Sequence, residues 1–195
     1  MKLSTRDRIR ASALALFAEK GYAATPTREI CKRAGITKPV LYYHFKNKEH
    51  LYRGLVVEAC SEIMRELTLA SQRGGNAQEK LINVIAADFS MTRRNPELSA
   101  VIFRMLFAPQ KGDPAFDYVR FGLDWVSLLS GIAQEGVRRR ELGCRPKDLA
   151  VALLGVDMIY SISHTVRGAP KLDRRLARRV VQLLVDGCRR DVTDR

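Results

Sequence analysis

Apolar residues recur along this chain at spacings of three and four, broken by glycine and proline, and nowhere alternate with period two over a useful length. That pattern belongs to helices rather than strands, so the chain predicts an all-α fold of about nine helices. Ile9, Ala13, Leu16 and Phe17 make one face of a first helix. Ser4 or Thr5 caps it, with Asp7 in a capping-box-like position, and Gly21 ends it. Thr25 and Pro26 open a second helix as N-cap and first helical residue. Its apolar side is Ile30, Cys31 and Ala34, and Gly35 closes it. Ile36 is a turn residue, and Thr37 caps a short third helix. At about 100° per residue, Leu41 and Phe45 share one side of that helix, while Pro39, Val40, Tyr43 and His44 look the other way. So short a helix holds itself together poorly. Leu41 and Phe45 must pin it to a body, leaving its far face for a partner. Two short helices joined by a tight Gly-containing turn make a helix-turn-helix.

A fourth helix runs from Asn47 to about Gln72, with Leu51, Leu55, Ala59 and Ile63 along one side. It is roughly 39 Å long at about 1.5 Å per residue, begins in the head and ends in the body. Arg73-Gly74-Gly75-Asn76 breaks it. Further helical stretches follow at Gln78–Thr92, Pro96–Phe107, Pro114–Leu142, Pro146–Arg167 and Asp173–Arg190, punctuated by Pro109, Gly112, Gly143 and Gly168. The division is a three-helix head over residues 1–50 and a larger helical bundle over 51–195.

Two of these stretches carry informative faces. In Pro114–Leu142, Val119, Leu123, Val126, Ala133 and Val137 form one stripe and Phe121, Trp125, Leu128 and Ile132 another, which predicts a helix buried at the centre of the bundle. With Phe89, Phe103, Met105 and Phe107 nearby in sequence, this apolar density fits a solid core or a cavity for an apolar ligand. Asp157, Tyr160 and His164 interrupt an apolar helix, as polar anchors of such a cavity or as hydrogen-bonded core. Leu149, Leu153, Val156, Tyr160 and Ser163 step 4-3-4-3, as do Leu172, Leu176, Val180 and Leu183, with Gly187 continuing. Those are seam spacings for helix-on-helix packing, against a second subunit or against the chain's own body.

Charge sharpens the head. The chain carries a net +13, and residues 1–50 hold 11 Lys or Arg against 4 Asp or Glu. That excess points to a polyanion, nucleic acid or a membrane surface. Aromatic groups at groove-reading spacing, rather than along a long amphipathic face, favour nucleic acid. Arg6, Arg8 and Arg10 load the start of the first helix against its dipole, where a nearby phosphate backbone would compensate. No uninterrupted apolar run reaches membrane-spanning length, and the charged start MKLSTRDRIRAS is unlike a signal peptide, so a cytoplasmic protein is expected. Cys31, Cys60, Cys144 and Cys188 are scattered without zinc or redox spacing and read as reduced core or interface residues. No phosphate loop, nucleophile elbow or catalytic triad is found among the residues, so neither an enzyme nor a cofactor or metal is expected.

The run GYAATPTREICKRAGITKPVLYYHFKNKEHL, Gly21 to Leu51, resembles the DNA-binding head of the TetR/AcrR family of bacterial one-component regulators. Gly21, Tyr22, Thr25, Ile30, Ala34, Gly35, Ile36, Leu41, Tyr42, His44, Phe45, Lys48 and Leu51 carry the resemblance. Pro26, Cys31 and Pro39 depart from its commonest residues, and Pro39 removes one backbone donor from the recognition helix.

The resemblance implies a recognition helix in the major groove of double-stranded DNA, with neighbouring elements on the backbone. Thr27, Arg28, Thr37 and Lys38 then sit at helix starts that favour phosphate. Tyr43 and His44 donate to phosphate oxygens, and Lys48 supplies a point charge. Lys38 is the candidate for a guanine edge, with Pro39 and Val40 for a thymine methyl. Tyr42 is counted with this set or packs between helices. Most of these contacts position rather than specify.

For the body the resemblance implies an effector pocket, with Phe89, Phe103, Phe107, Phe121, Trp125, Asp157, Tyr160 and His164 as its candidates. It also implies a four-helix homodimer interface built from Leu149, Leu153, Val156, Tyr160, Leu176, Val180, Leu183 and Gly187. The expected function is a homodimeric repressor released from a palindromic operator by a small, largely apolar effector. The alternative is a structural DNA-binding protein with a filled core and no effector.

Overall fold

The computed structural model describes residues 3–190, with the side chains of Tyr118, Cys188, Arg189 and Arg190 left aside; the reading of the Cys188 thiol and of residues 191–195 therefore falls outside the described residues. Among them the fold is nine helices and no strand: α1 (Thr5–Lys20), α2 (Thr27–Ala34), α3 (Lys38–His44), α4 (Lys48–Ser71), α5 (Ala77–Arg94), α6 (Pro96–Phe107), α7 (Tyr118–Arg138), α8 (Pro146–Arg167) and α9 (Arg174–Arg190). They form two compact units, Met1–Cys60 with Pro96–Phe116, and Ser61–Asn95 with Asp117–Arg195. The chain passes from the first to the second within α4.

In the first unit Ser4 caps α1 by accepting from the Asp7 amide at 3.1 Å, and its hydroxyl donates to the Asp7 carboxylate. Ile9, Ala13, Leu16 and Phe17 are buried, as the periodicity predicts. α2 begins differently from expectation. Pro26 occupies the cap position and offers no side-chain cap. The Thr25 hydroxyl instead bonds back to the Gly21 carbonyl at 2.7 Å, closing the end of α1. Gly35 ends α2 in the left-handed region at φ 65°, which glycine adopts without a Cβ penalty. α6 lies against α1, and Arg104 donates to the Ala18 carbonyl at 3.1 Å, satisfying one of the free acceptors at that helix end.

In the second unit Leu67, Leu81, Ile82, Ile85, Phe89, Leu129, Leu153, Leu176 and Val181 belong to one buried cluster. Burying each such side chain stabilises the fold by about 1.5–3 kcal/mol. Asn76 caps α5 by accepting from the Glu79 amide at 2.8 Å. Ala77 donates its amide to Glu141 at 2.6 Å, and Arg174 at the start of α9 bonds Asn83 and Glu79 of α5.

α7 is shorter than the Pro114–Leu142 stretch because Asp117 caps it, accepting from the Arg120 amide at 2.9 Å. Nor is it buried all round: Trp125, Leu129, Ile132 and Ala133 face the core, whereas Val119, Leu123 and Val137 face outward. The stripe of Val119, Leu123, Val126, Ala133 and Val137 is thus split, with Ala133 buried, Val126 packed on the core and the other three at the surface. Gly136 near its end is a forced glycine, since a Cβ there would fall on Ala77 Cβ and come within 2.8 Å of Leu142.

Candidate nucleic-acid interface and effector site

The recognition helix α3 is held from behind and open in front. Leu41 is 1% exposed and Phe45 5%, so both pins are in place. Tyr43 is 85% exposed and Tyr42 48%; the packing of Tyr42 between helices is thus set aside in favour of an outward ring. Lys38 and Pro39 are exposed beside them, with Val40 and His44 half-buried. Thr37 occupies the cap position of α3 without using its side chain for capping. Arg28 is exposed on α2 and Thr27 half-buried at its start. Lys38, Pro39, Tyr42, Tyr43, Thr37 and Arg28 therefore present groups outward from the helix-turn-helix.

Lys48 does not share that arrangement. Its ammonium donates to the Tyr22 carbonyl at 2.9 Å and the Thr25 carbonyl at 3.1 Å, and lies 4.0 Å from the Tyr22 ring centroid. Burial pulls its pKa below the ordinary lysine value, with Asp113 acting in the opposite sense. Lys48 thus ties the start of α4 to the α1–α2 turn. Phe17 and Tyr52 pack tilted or edge-on against Tyr22 and each other, with ring centroids 4.9–5.9 Å apart.

The basic residues of α1 also find protein partners. Arg10 and Arg6 both pair with Glu58 of α4, and Arg6 sits 5.8 Å over the Phe45 ring. These half-exposed pairs contribute little individually, but they offset the unfavourable charge at the start of α1.

Residues 9–55 match the sequence model of the bacterial regulatory proteins, tetR family. The fatty acid metabolism regulator protein of Bacillus subtilis is 25% identical over 181 residues, covering 90% of this chain and 91% of that protein. The biofilm operon icaADBC HTH-type negative transcriptional regulator IcaR of Staphylococcus epidermidis is 48% identical over 48 residues, 25% of this chain and 26% of that one. Residues 9–55 are thus a DNA-binding head of the tetR-family type. These relatives are transcriptional regulators rather than enzymes. Among solved structures, FadR from Bacillus subtilis in complex with stearoyl-CoA superposes with a TM-score of 0.76 at 24% identity, covering 93% of this chain and 98% of that one.

The candidate pocket residues divide between the units. Phe103 and Phe107 lie on α6 in the first, Phe107 being exposed. Phe89, Trp125 and Asp157 are buried in the core of the second, with Phe121 and Tyr160 packed against it. His164 is engaged at the end of α8, its Nδ1 2.9 Å from the Pro170 carbonyl oxygen. Sequence reasoning missed Asp88, buried on α5. The signal was there: an Asp at a core-facing register between Ile85 and Phe89.

Most of the expected seam also turns inward. Leu149, Leu153, Leu176 and Val180 belong to the chain's own core, and Val156 and Tyr160 pack on it. Leu183 is 72% exposed and Gly187 is exposed. The outward apolar line of α8 is instead Val151, Gly155, Ile159 and Val166. A helix apolar on two sides has two seams of equal spacing, and the core takes one of them.

Proposed function

We propose that this chain is a homodimeric repressor, released from a palindromic operator by a small, largely apolar effector bound in the body. Residues 1–50 then serve as the DNA-binding domain and 51–195 as the ligand-binding and dimerisation domain, acting in the cytoplasm where the DNA lies. The observation that carries this reading is α3, pinned by Leu41 and Phe45 with Lys38, Pro39, Tyr42 and Tyr43 turned outward. One such helix gives little specificity; two set one DNA turn apart, about 34–36 Å, read a palindrome.

A second copy of the chain is the partner that α8 and α9 fit. α8 has a mean hydropathy of 1.5 across 18 residues, of which 28% are buried. A Cβ added at Gly155 or Gly187 would meet nothing within 4 Å, so a neighbouring helix can approach closely there. That the related FadR binds stearoyl-CoA supports an effector with an extended apolar part. Binding in the body and binding at the head are coupled when the effector prefers a conformation with the wrong head spacing.

Selection of bound sequences from a random DNA pool, followed by anisotropy titrations at fixed salt, tests the proposal. The recovered site is a palindrome bound at about 10⁻⁸ M or tighter, with affinity falling steeply with salt. Equal affinity for that palindrome and for random duplex would exclude specific regulation.

A further inference from the structure

In the middle of the second unit, three helices bring together buried polar groups, some of whose atoms the core leaves without a partner. Asp88 of α5 stands against Asp157 and Ser161 of α8, close enough for these groups to act on one another's protonation. Ala77 at the start of α5 meets Gly136 near the end of α7, so the two helices pack antiparallel. Counting eleven residues forward from Ala77 and eleven back from Gly136 reaches Asp88 and Trp125, which therefore share a level along the bundle. Asp157 and Ser161 are 1% exposed, Asp88 and Trp125 7%. Asp88 takes hydrogen bonds from Asp157 and Ser161, yet Asp157 Oδ1 and Trp125 Nε1 have no hydrogen-bonding partner.

Native cores rarely leave such groups unpaired, and each one calls for an explanation. A buried carboxyl pair is costlier still without a counter-charge. Among the described residues, no Lys, Arg or His is among the groups acting on either carboxyl. The surroundings are apolar and aromatic: Phe89 is fully buried, and the Phe121 and Trp125 rings pair at 6.4 Å. Two carboxyls, a hydroxyl and aromatic rings suit a positive charge carried on an apolar body. A metal ion fits less well, since no cluster of three or more His, Cys, Asp or Glu able to hold one occurs among the described residues.

We infer that the second unit binds an organic cation, an ammonium head seated at Asp88 and Asp157 with its apolar remainder against Trp125 and Phe121. The inference names the effector class for the pocket proposed above and rests on that reading. It also separates this chain from a regulator whose ligand carries an anionic head. Burial holds both acids up, Asp88 to about 6 and Asp157, on which the Asp88 charge also acts, well above the ordinary carboxyl range. Near neutral pH the pair retains a proton, and an arriving cation displaces it into solvent.

The test is a matched ten-carbon series, decylammonium, decanol and decanoate, titrated into the full chain. Fluorescence of Trp125, the chain's one tryptophan, reports occupancy. Calorimetry in buffers of different ionisation enthalpy reports proton release. Decylammonium is expected to bind about tenfold tighter than decanol or more, with proton release. Asp157→Asn should bring the two to equal affinity, and Asp88→Asn should do the same in case the first variant folds poorly. Failure of decylammonium to bind, equal binding of decanol to the unaltered chain, a preference for decanoate, or a cation preference surviving both substitutions each overturns the inference. Operator release by decanol or a fatty acyl-CoA without cation preference would keep the effector reading and remove this one. Binding of decylammonium without any effect on operator affinity would do the reverse.

Discussion

The Lys48 ammonium lies 4.0 Å from the centre of the Tyr22 ring while donating to the Tyr22 and Thr25 carbonyls. A side chain so engaged acts first on the fold of the head. Lys48→Ala removes two hydrogen bonds to otherwise free acceptors and a cation–ring contact, together worth about 1–3 kcal/mol. We expect thermal unfolding of the full chain to shift down, with the salt slope of DNA binding at low temperature unchanged. A slope smaller by about one unit with unchanged stability would instead make Lys48 a phosphate contact.

Tyr43 and Lys38 should behave in the opposite way. Tyr43 is 85% exposed, so Tyr43→Ala should leave stability within about 0.5 kcal/mol while weakening binding to every duplex alike. Lys38→Ala should cost about 1–3 kcal/mol at the preferred operator and relax its sequence preference at one position. Circular dichroism with competition against single-base operator variants checks both. A uniform loss from Lys38→Ala would assign it to the backbone rather than to a base.

These contrasts show where the sequence was readable. The pinning of α3 was legible because Leu41 and Phe45 fall on one side of so short a helix. The role of Thr25 was not, since a Thr before Pro looks the same whether it caps the next helix or bonds back to Gly21. Lys48 belongs to a basic head, and only the approach of Tyr22 reveals that its donors are used internally. The start of α7 hinged on whether Pro114 or Asp117 began it, and a cap is a local geometry that periodicity does not report. α8 carries two apolar lines, and which one meets the core depends on α5 and α7 rather than on α8 itself. Asp88 was passed over because a single acid in an apolar face looks like noise until Asp157 is placed beside it.

The acid pair predicts a pH dependence whose sign is fixed by its burial. The folded-state pKa of Asp88 is raised to about 6 from 3.8, and that of Asp157 is raised further. Protonation is thus favoured in the folded state. The stability it contributes is fully present below about pH 4 and is lost as pH rises through about 6, continuing above that for Asp157. Asp88→Asn removes an ionisation that costs stability, so the variant should gain about 1–3 kcal/mol on the unaltered chain between pH 5 and pH 8. Urea denaturation at the two pH values measures it. A difference that does not change with pH would show that Asp88 does not titrate in this window.

Gly136 offers a test of packing alone. A methyl group there would meet Ala77 Cβ and the Leu142 side chain, both in the buried cluster. Gly136→Ala removes a flexible residue from a helix interior, which by itself stabilises by about 1 kcal/mol. Overpacking of about 1–3 kcal/mol opposes it. We expect net destabilisation, read as a lower denaturation midpoint, with rescue by Leu142→Ala if the clash with Leu142 is the larger part.

The outward line of α8 decides between two ways of using one helix. Ile159 and Val166 are 64% and 75% exposed, and Leu183 of α9 is likewise outward, whereas Leu153 is fully buried in the core. If a second copy covers the outward line, Ile159→Glu and Leu183→Glu each place a charge in an apolar interface without disturbing the monomer. Sedimentation velocity should then show monomers that keep their helical content, and operator affinity should fall because two heads no longer bind together. Leu153→Glu should instead unfold the chain, by burying an unpaired charge. If Ile159→Glu leaves a dimer of unchanged affinity, the partner of α8 is not a second copy along this face.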